Sequence, residues 1–143
     1  MTDNDYMQLA LAEAQKAFEA NEVPVGCIIV AGNRIVGRGH NLTQTLSDVT
    51  AHAEIQAITA ASQTLGGKYL NECTLYVTVE PCVMCAGAIG WAQIGRLVYG
   101  ASDPKRGYTL FAPKALHPKT QVLSGVLEHE CQQLMETFFI KLR

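Results

Sequence analysis

The chain has 143 residues, of which 48% are hydrophobic and 17% are charged, and its formal net charge is −2. This composition is typical of a folded globular protein and excludes a largely disordered chain. No run of about 18 or more apolar residues occurs, so we expect no membrane span. The N-terminus is polar and lacks the apolar core of a secretory signal, and an odd number of cysteines, five, argues against a disulfide framework. We therefore expect a single domain over residues 1–143, located in the cytoplasm.

The N-terminal half alternates between helical and extended patterns. Apolar residues at helical spacing predict a first helix over residues 3–20. A short apolar run predicts a strand over 25–30, and a tight turn returns the chain in a second strand over 34–40. After a polar loop, a second helix is predicted from Thr50 or Ala51 to Leu65, closed by a pair of glycines.

The C-terminal half continues the alternation, which predicts an α/β layered sheet. The helix over 82–92 is apolar nearly all round, so we expect it to be buried, either within the monomer or in a subunit interface. The segment 101–120 is expected to be mostly loop, and its basic residues either bind phosphates or form an ordinary solvated face. The predicted elements of this half are strand 74–79, helix 82–92, strand 96–100, a short strand 120–123 and helix 126–142.

Two short motifs carry residues suited to zinc chemistry. His52 lies where the chain enters one predicted helix, and Cys82 and Cys85 stand three apart at the start of another. Catalytic zinc takes three nitrogen or sulfur ligands and leaves a fourth position for water, and helix N-termini favour the thiolate form of cysteine. Glu54 lies two residues after His52, where a carboxylate can take a proton from that water and pass it to the substrate. The combination of His-x-Glu with Pro-Cys-x-x-Cys matches the signature of zinc deaminases.

Other interpretations of the same residues remain open. A closed structural zinc site would need a fourth ligand, for which His40, His117 and His129 are candidates without metal-ligand spacing. A redox-active cysteine pair is a further possibility. A non-catalytic zinc or RNA-binding module would have no use for Glu54.

Longer fragments extend the signature over nearly the whole chain. They resemble bacterial tRNA-specific adenosine deaminases of the cytidine deaminase-like superfamily. The resemblance implies a three-layer α-β-α sandwich with a central five-stranded mixed sheet, and hydrolytic deamination of adenosine to inosine at the wobble position of a tRNA anticodon. It also implies one Zn²⁺ per subunit, a homodimer and a tRNA anticodon loop as partner. The fragments are residues 23–26, 50–55, 75–78, 80–89 and 94–103.

The resemblance also assigns residues outside the metal motifs. Asn41 and Asp103 match positions that contact the target nucleoside, although an ordinary loop Asn and a turn Asp would look the same. Phe138 and Phe139 either touch RNA or pack in the core. Trp91 lies in a stretch that resembles guanine deaminases, so a free base or nucleoside such as guanine or cytosine is the alternative substrate.

Overall fold

Ten elements follow one another along residues 1–142, the part of the chain that this computed structural model describes. Five are strands and five are helices, one of them a single turn. In chain order they are α1 (Asp3–Glu19), β1 (Gly26–Ala31), β2 (Arg34–His40), α2 (Ala53–Leu65), β3 (Cys73–Val79), α3 (Val83–Trp91), β4 (Arg96–Ala101), α4 (Tyr108–Phe111), β5 (Gln121–Ser124) and α5 (Glu128–Lys141).

The five strands form one mixed sheet in the order β2-β1-β3-β4-β5. Strand β1 runs antiparallel to both β2 and β3, whereas β3, β4 and β5 run parallel to one another. Parallel pairing requires long crossover connections: β3 and β4 are joined through α3, and β4 and β5 through a long segment that contains only the single turn α4. The α/β class and the five-stranded mixed sheet expected from the sequence are confirmed.

Alternate residues of the central strands face opposite sides of the sheet, because side chains alternate along a strand. Cys27, Leu75 and Val77 are buried on the side that packs against α2 and α3. Ile28, Tyr76 and Val98 are buried on the side that packs against α1 and Cys131 of α5. The sheet therefore lies between two helix layers, which gives the three-layer sandwich.

Helix α2 lies unusually close to β2. A side chain at Gly37 would collide with the carbonyl oxygen of Ala57, and one at Gly39 would collide with that of Ala53. Only glycine has no Cβ to clash at such a close approach. These two glycines therefore allow α2 to pack closely against β2, with His52 directly before its first turn.

Within the single chain, α3 is not buried nearly all round, so the expectation of burial within the monomer is wrong. Only Cys85, Ala86 and Ile89 of this helix are buried, whereas Trp91 is 85% exposed. One side of α3 faces the sheet, and no other element among residues 1–142 covers its outer side. Sequence periodicity cannot reveal this, because a helix that is apolar all round has no polar face to mark its exposed side.

The remaining differences from the predicted elements are small. Both α2 and α3 begin one to three residues later than predicted, a difference close to the usual uncertainty in assigning helix ends. The single turn α4 lies inside the segment predicted as loop. Phe138 is buried and packs edge to face against Phe18, whereas Phe139 is 44% exposed. None of the helices in residues 1–142 is both long and apolar enough to cross a membrane.

Candidate active site

The N-termini of α2 and α3 bring His52, Cys82 and Cys85 together. His52 is the N-cap of α2, Cys82 is the N-cap of α3, and Cys85 lies in the first turn of α3. Nδ1 of His52 lies 3.6 Å from Sγ of Cys82 and 3.4 Å from Sγ of Cys85. Among residues 1–142 these three form the one group of His, Cys or acidic side chains arranged to hold a metal ion.

The spacing of the three atoms fits zinc. A tetrahedral ion with Zn–N of about 2.0 Å and Zn–S of about 2.3 Å places nitrogen and sulfur ligands roughly 3.5 Å apart. The two nitrogen–sulfur distances lie on either side of this value. His40 and His117 are engaged elsewhere, with Glu13 and with the backbone of Lys119. The described residues thus supply three ligands, as in a catalytic zinc site, and no fourth that would close it.

The electrostatics of the cluster favour a cation. The thiol of Cys85 donates a hydrogen bond to Cys82, which lowers the pKa of Cys82 to about 4 although burial opposes this effect. The same hydrogen bond, together with burial, raises the pKa of Cys85. The contact with Cys82 raises the pKa of His52. The lowered pKa favours the thiolate form of Cys82, and a metal ion would displace the proton that Cys85 retains.

Glu54 lies in the first turn of α2 and is only 4% exposed. Burial raises its pKa to about 7, and the negative charge of Cys82 adds to the effect. A carboxyl group with a pKa near the working pH both accepts and donates protons efficiently. Glu54 lines the same cavity as His52 and Cys82, so it meets the requirements of a general acid and base beside the cluster.

The cavity beside the cluster brings Asn41 and Asp103 to the same place. It encloses about 240 Å³, and both residues line it together with Glu54. Asn41 is buried at the end of β2. Asp103 arrives there because β3 and β4 pair in parallel with Val79 opposite Ala101, so both chains leave the sheet at the same edge. Parallel pairing thus juxtaposes residues that are distant in sequence.

Asp103 also has a local role. Its Oδ1 accepts hydrogen bonds from the backbone N–H groups of Lys105 and Arg106, each at 3.0 Å. From the sequence, a turn Asp is the alternative to a substrate-binding residue. Asp103 forms such a turn and also lines the cavity. Arg106 and Phe111 border the wider mouth of the site, next to Val83 and Met84.

Two of the buried carboxylates that sequence reasoning missed, Glu22 and Glu80, lie beside the cavity. Glu22 is fully buried and accepts hydrogen bonds from the backbone of Gln44 and Thr45, at 3.0 and 2.7 Å. Glu80 accepts from the segment 103–109. The two acids thus hold the loops on opposite sides of the cavity. For Glu80 the available signal is an acid at the end of an apolar strand, directly before Pro81.

Three side chains arranged to coordinate a metal ion, together with a buried carboxyl group, define a site of the hydrolytic deaminase class on this α-β-α sandwich. Comparison with known proteins agrees with this class. A family model for MafB19-like deaminases matches residues 1–143. The tRNA-specific adenosine deaminase of Agrobacterium fabrum is 45% identical, over 96% of this chain and 94% of its own.

Solved structures extend the comparison. A structure from work on A-to-I editing by tRNA:A34 deaminases at the wobble position of transfer RNA is 45% identical, covers 91% of this chain and 98% of its own, and superposes with a TM-score of 0.85. A guanine deaminase from Bacillus subtilis is 38% identical over 71% of this chain and 66% of its own, with a TM-score of 0.68. The chain belongs to the tRNA-specific adenosine deaminase family, which confirms the resemblance found in the sequence.

Proposed function

We propose that the protein hydrolyses adenosine to inosine at the wobble position of a tRNA anticodon. The observation that carries this proposal is the cluster of His52, Cys82 and Cys85 beside Glu54, in a chain 45% identical to a tRNA-specific adenosine deaminase. The three ligands hold one Zn²⁺ per subunit, in a single deaminase domain over residues 1–143. From the tRNA substrate we infer a location in the cytoplasm.

Glu54 moves the protons of the reaction. Bound zinc supplies a Lewis acid that makes water a nucleophile near neutral pH. Glu54 takes a proton from the attacking water and delivers it to the ring nitrogen next to the reacting carbon. It then takes the second proton from the hydroxyl group that has added to the ring carbon and carries it to the departing amine. Water and adenosine thus yield inosine and ammonia. Its raised pKa suits a group that must be both base and acid in one cycle.

Asn41 and Asp103 bind the flipped nucleoside from two sides of the cavity. Both line the space beside the metal ligands, and Asn41 is buried there. An unpaired anticodon loop presents its base at a low unstacking cost, which suits a pocket that must receive a single base. Arg106 at the mouth of the site and its exposed neighbour Lys105 are placed to meet the phosphates on either side.

The outer side of α3 is the contact surface of a homodimer. Met84, Gly87, Ala88 and Trp91 follow one another at helical spacing and carry no charge. A second copy of the chain would remove the exposed Trp91 from water. Trp91→Lys should convert a dimer into a monomer in light scattering, whereas Ile140→Lys, an exposed position on the opposite helix layer, should not. A dimer that survives Trp91→Lys would contradict this assignment.

The deciding experiment is incubation of the zinc-loaded protein with tRNA that carries a wobble adenosine. We expect inosine at that position, and inosine formation about 10²- to 10⁴-fold slower with Glu54→Gln. The second candidate function is deamination of free guanine, which the similarity to a guanine deaminase favours. Release of ammonia from guanine, without inosine in tRNA, would decide for this second function.

A further inference from the structure

The carboxylate of Glu80 joins the end of β3 to the far wall of the cavity. Its Oε1 accepts a hydrogen bond from the backbone N–H of Asp103 at 3.0 Å. Its Oε2 accepts from the backbone N–H of Thr109 at 3.1 Å and from the hydroxyl of Thr109 at 2.7 Å. Glu80 is 5% exposed. All three donors therefore come from the segment 103–109, and the two oxygens hold its first and last residues.

The same segment is also joined to the backbone beside the metal ligands. The N–H of Tyr108 donates to the carbonyl oxygen of Pro81 at 2.9 Å, and Gly107 pairs with Cys82 in an isolated bridge. A side chain at Gly107 would collide with the Glu80 carboxylate. The segment thus passes directly over this carboxylate. A displacement of Glu80 would therefore shift the segment, and with it the part of the cavity wall that Asp103 forms, relative to Cys82.

No Lys, Arg or His among residues 1–142 forms an ion pair with Glu80. Burial of a carboxylate is costly unless hydrogen bonds satisfy it, and here neutral donors of one loop do so. The loop and the acid consequently stabilise one another: the acid is satisfied only while 103–109 is in place. Apolar packing could hold the segment 103–109 in place without the free-energy cost of burying a carboxylate.

We infer that Glu80 is a positioning residue that fixes the segment 103–109, and with it Asp103, at a set distance from the metal ligands. This inference rests on the proposed function, in which Asp103 binds the flipped nucleoside. Glu80 also lines the cavity, but both of its carboxylate oxygens are engaged by Asp103 and Thr109, so we assign it no proton transfer. Its contribution is to the geometry of substrate binding, so it should affect KM more than kcat.

Glu80→Gln tests this role with almost no change of volume. Whichever way the amide is oriented, its NH₂ group faces either the N–H of Asp103 or the donors of Thr109, so one side of the clamp is lost. We expect the KM for tRNA with a wobble adenosine to rise about tenfold, the loss typical of one hydrogen bond to a charged group. The kcat should stay within about threefold, with zinc content unchanged. Glu72→Gln, at an exposed position, is the matched control.

Amide hydrogen exchange gives a readout that does not require a substrate. The N–H groups of Asp103 and Thr109 should lose protection by about tenfold or more in Glu80→Gln, while the amides of β3 should keep theirs. If wild-type protein makes no inosine, the proposed function fails, yet the exchange measurement still tests the clamp. Unchanged KM and unchanged protection in Glu80→Gln would overturn the inference.

A second variant covers the case in which Glu80→Gln does not fold or loses its metal. Gly107→Ala leaves Glu80 intact but drives a methyl group into its carboxylate, so it should raise KM and deprotect Asp103 in the same way. Gly67→Ala, at an exposed position where the added methyl group meets no atom within 4 Å, is the control and should change KM by about twofold or less. An unchanged KM and unchanged protection of Asp103 in Gly107→Ala would also overturn the inference.

Discussion

Replacing Glu54 with glutamine is expected to reduce turnover strongly and, at the same time, to stabilise the zinc-free chain. Burial raises the pKa of Glu54 to about 7, from an ordinary value of 4.5. An acid whose pKa is higher in the folded than in the unfolded chain opposes folding wherever the unfolded chain is already ionised. The cost therefore begins above pH 4.5 and is complete above pH 7. At about 1.4 kcal/mol per pH unit, the gap between the two pKa values amounts to about 3 kcal/mol.

Urea unfolding of the chelator-treated protein at two pH values measures this effect. The free energy of unfolding of Glu54→Gln should exceed that of the wild type by about 2–3 kcal/mol at pH 8. The two should be equal at pH 4, where Glu54 is protonated in both the folded and the unfolded chain. The zinc-loaded variant should lose inosine formation by about 10²- to 10⁴-fold, the contribution of one general acid and base. Glu136→Gln on the exposed side of α5 is the control. Turnover at the wild-type rate, or a lower unfolding free energy at pH 8, would refute the reasoning.

Three further predictions follow from other parts of the structure. Cys82→Ser should lower bound zinc well below one ion per chain by metal analysis, because a hydroxyl is a poor zinc ligand; full occupancy would contradict the assigned ligands. Asp3→Asn should cost about 1 kcal/mol at pH 7, since Arg96 holds the pKa of Asp3 at about 2 and the pair is partly exposed. That difference should fade between pH 4 and pH 2 in urea titrations, as Asp3 protonates, and a constant difference would be inconsistent with it. Glu22→Ala should destabilise the fold by about 2–4 kcal/mol in the same titrations, compared with Glu19→Ala, because it leaves the Gln44 and Thr45 amides unpaired.

Most of the elements could be predicted because their patterns are local. The run Thr74–Val79 is rich in β-branched and aromatic residues, and the first helix carries a continuous apolar stripe, so the sequence predicts the bounds of both to within one or two residues. The single turn α4 escaped prediction, because four residues are too few to show a helical period. The exposed side of α3 escaped for a different reason: an all-apolar helix contains no sign of which side remains uncovered.

The site was predictable in part, for similar reasons. His52, Glu54, Cys82 and Cys85 belong to two short motifs whose residue types are specific to one chemistry. The buried carboxylates of Glu22 and Glu80 carry no such motif. Their role depends on which loop passes above them, and that is a property of the folded chain.

The sequence by itself determined the chemistry of this protein, because zinc ligation and proton transfer depend on residue types that stand a few positions apart. Tertiary structure alone decided the geometry: the 3.4–3.6 Å spacing of the ligand atoms, the cavity between Asn41 and Asp103, and the exposed side of α3. The physical reason is the pairing of strands. Parallel β3 and β4 end at the same edge of the sheet, so residues about twenty positions apart meet there, and no local pattern in the chain encodes that meeting.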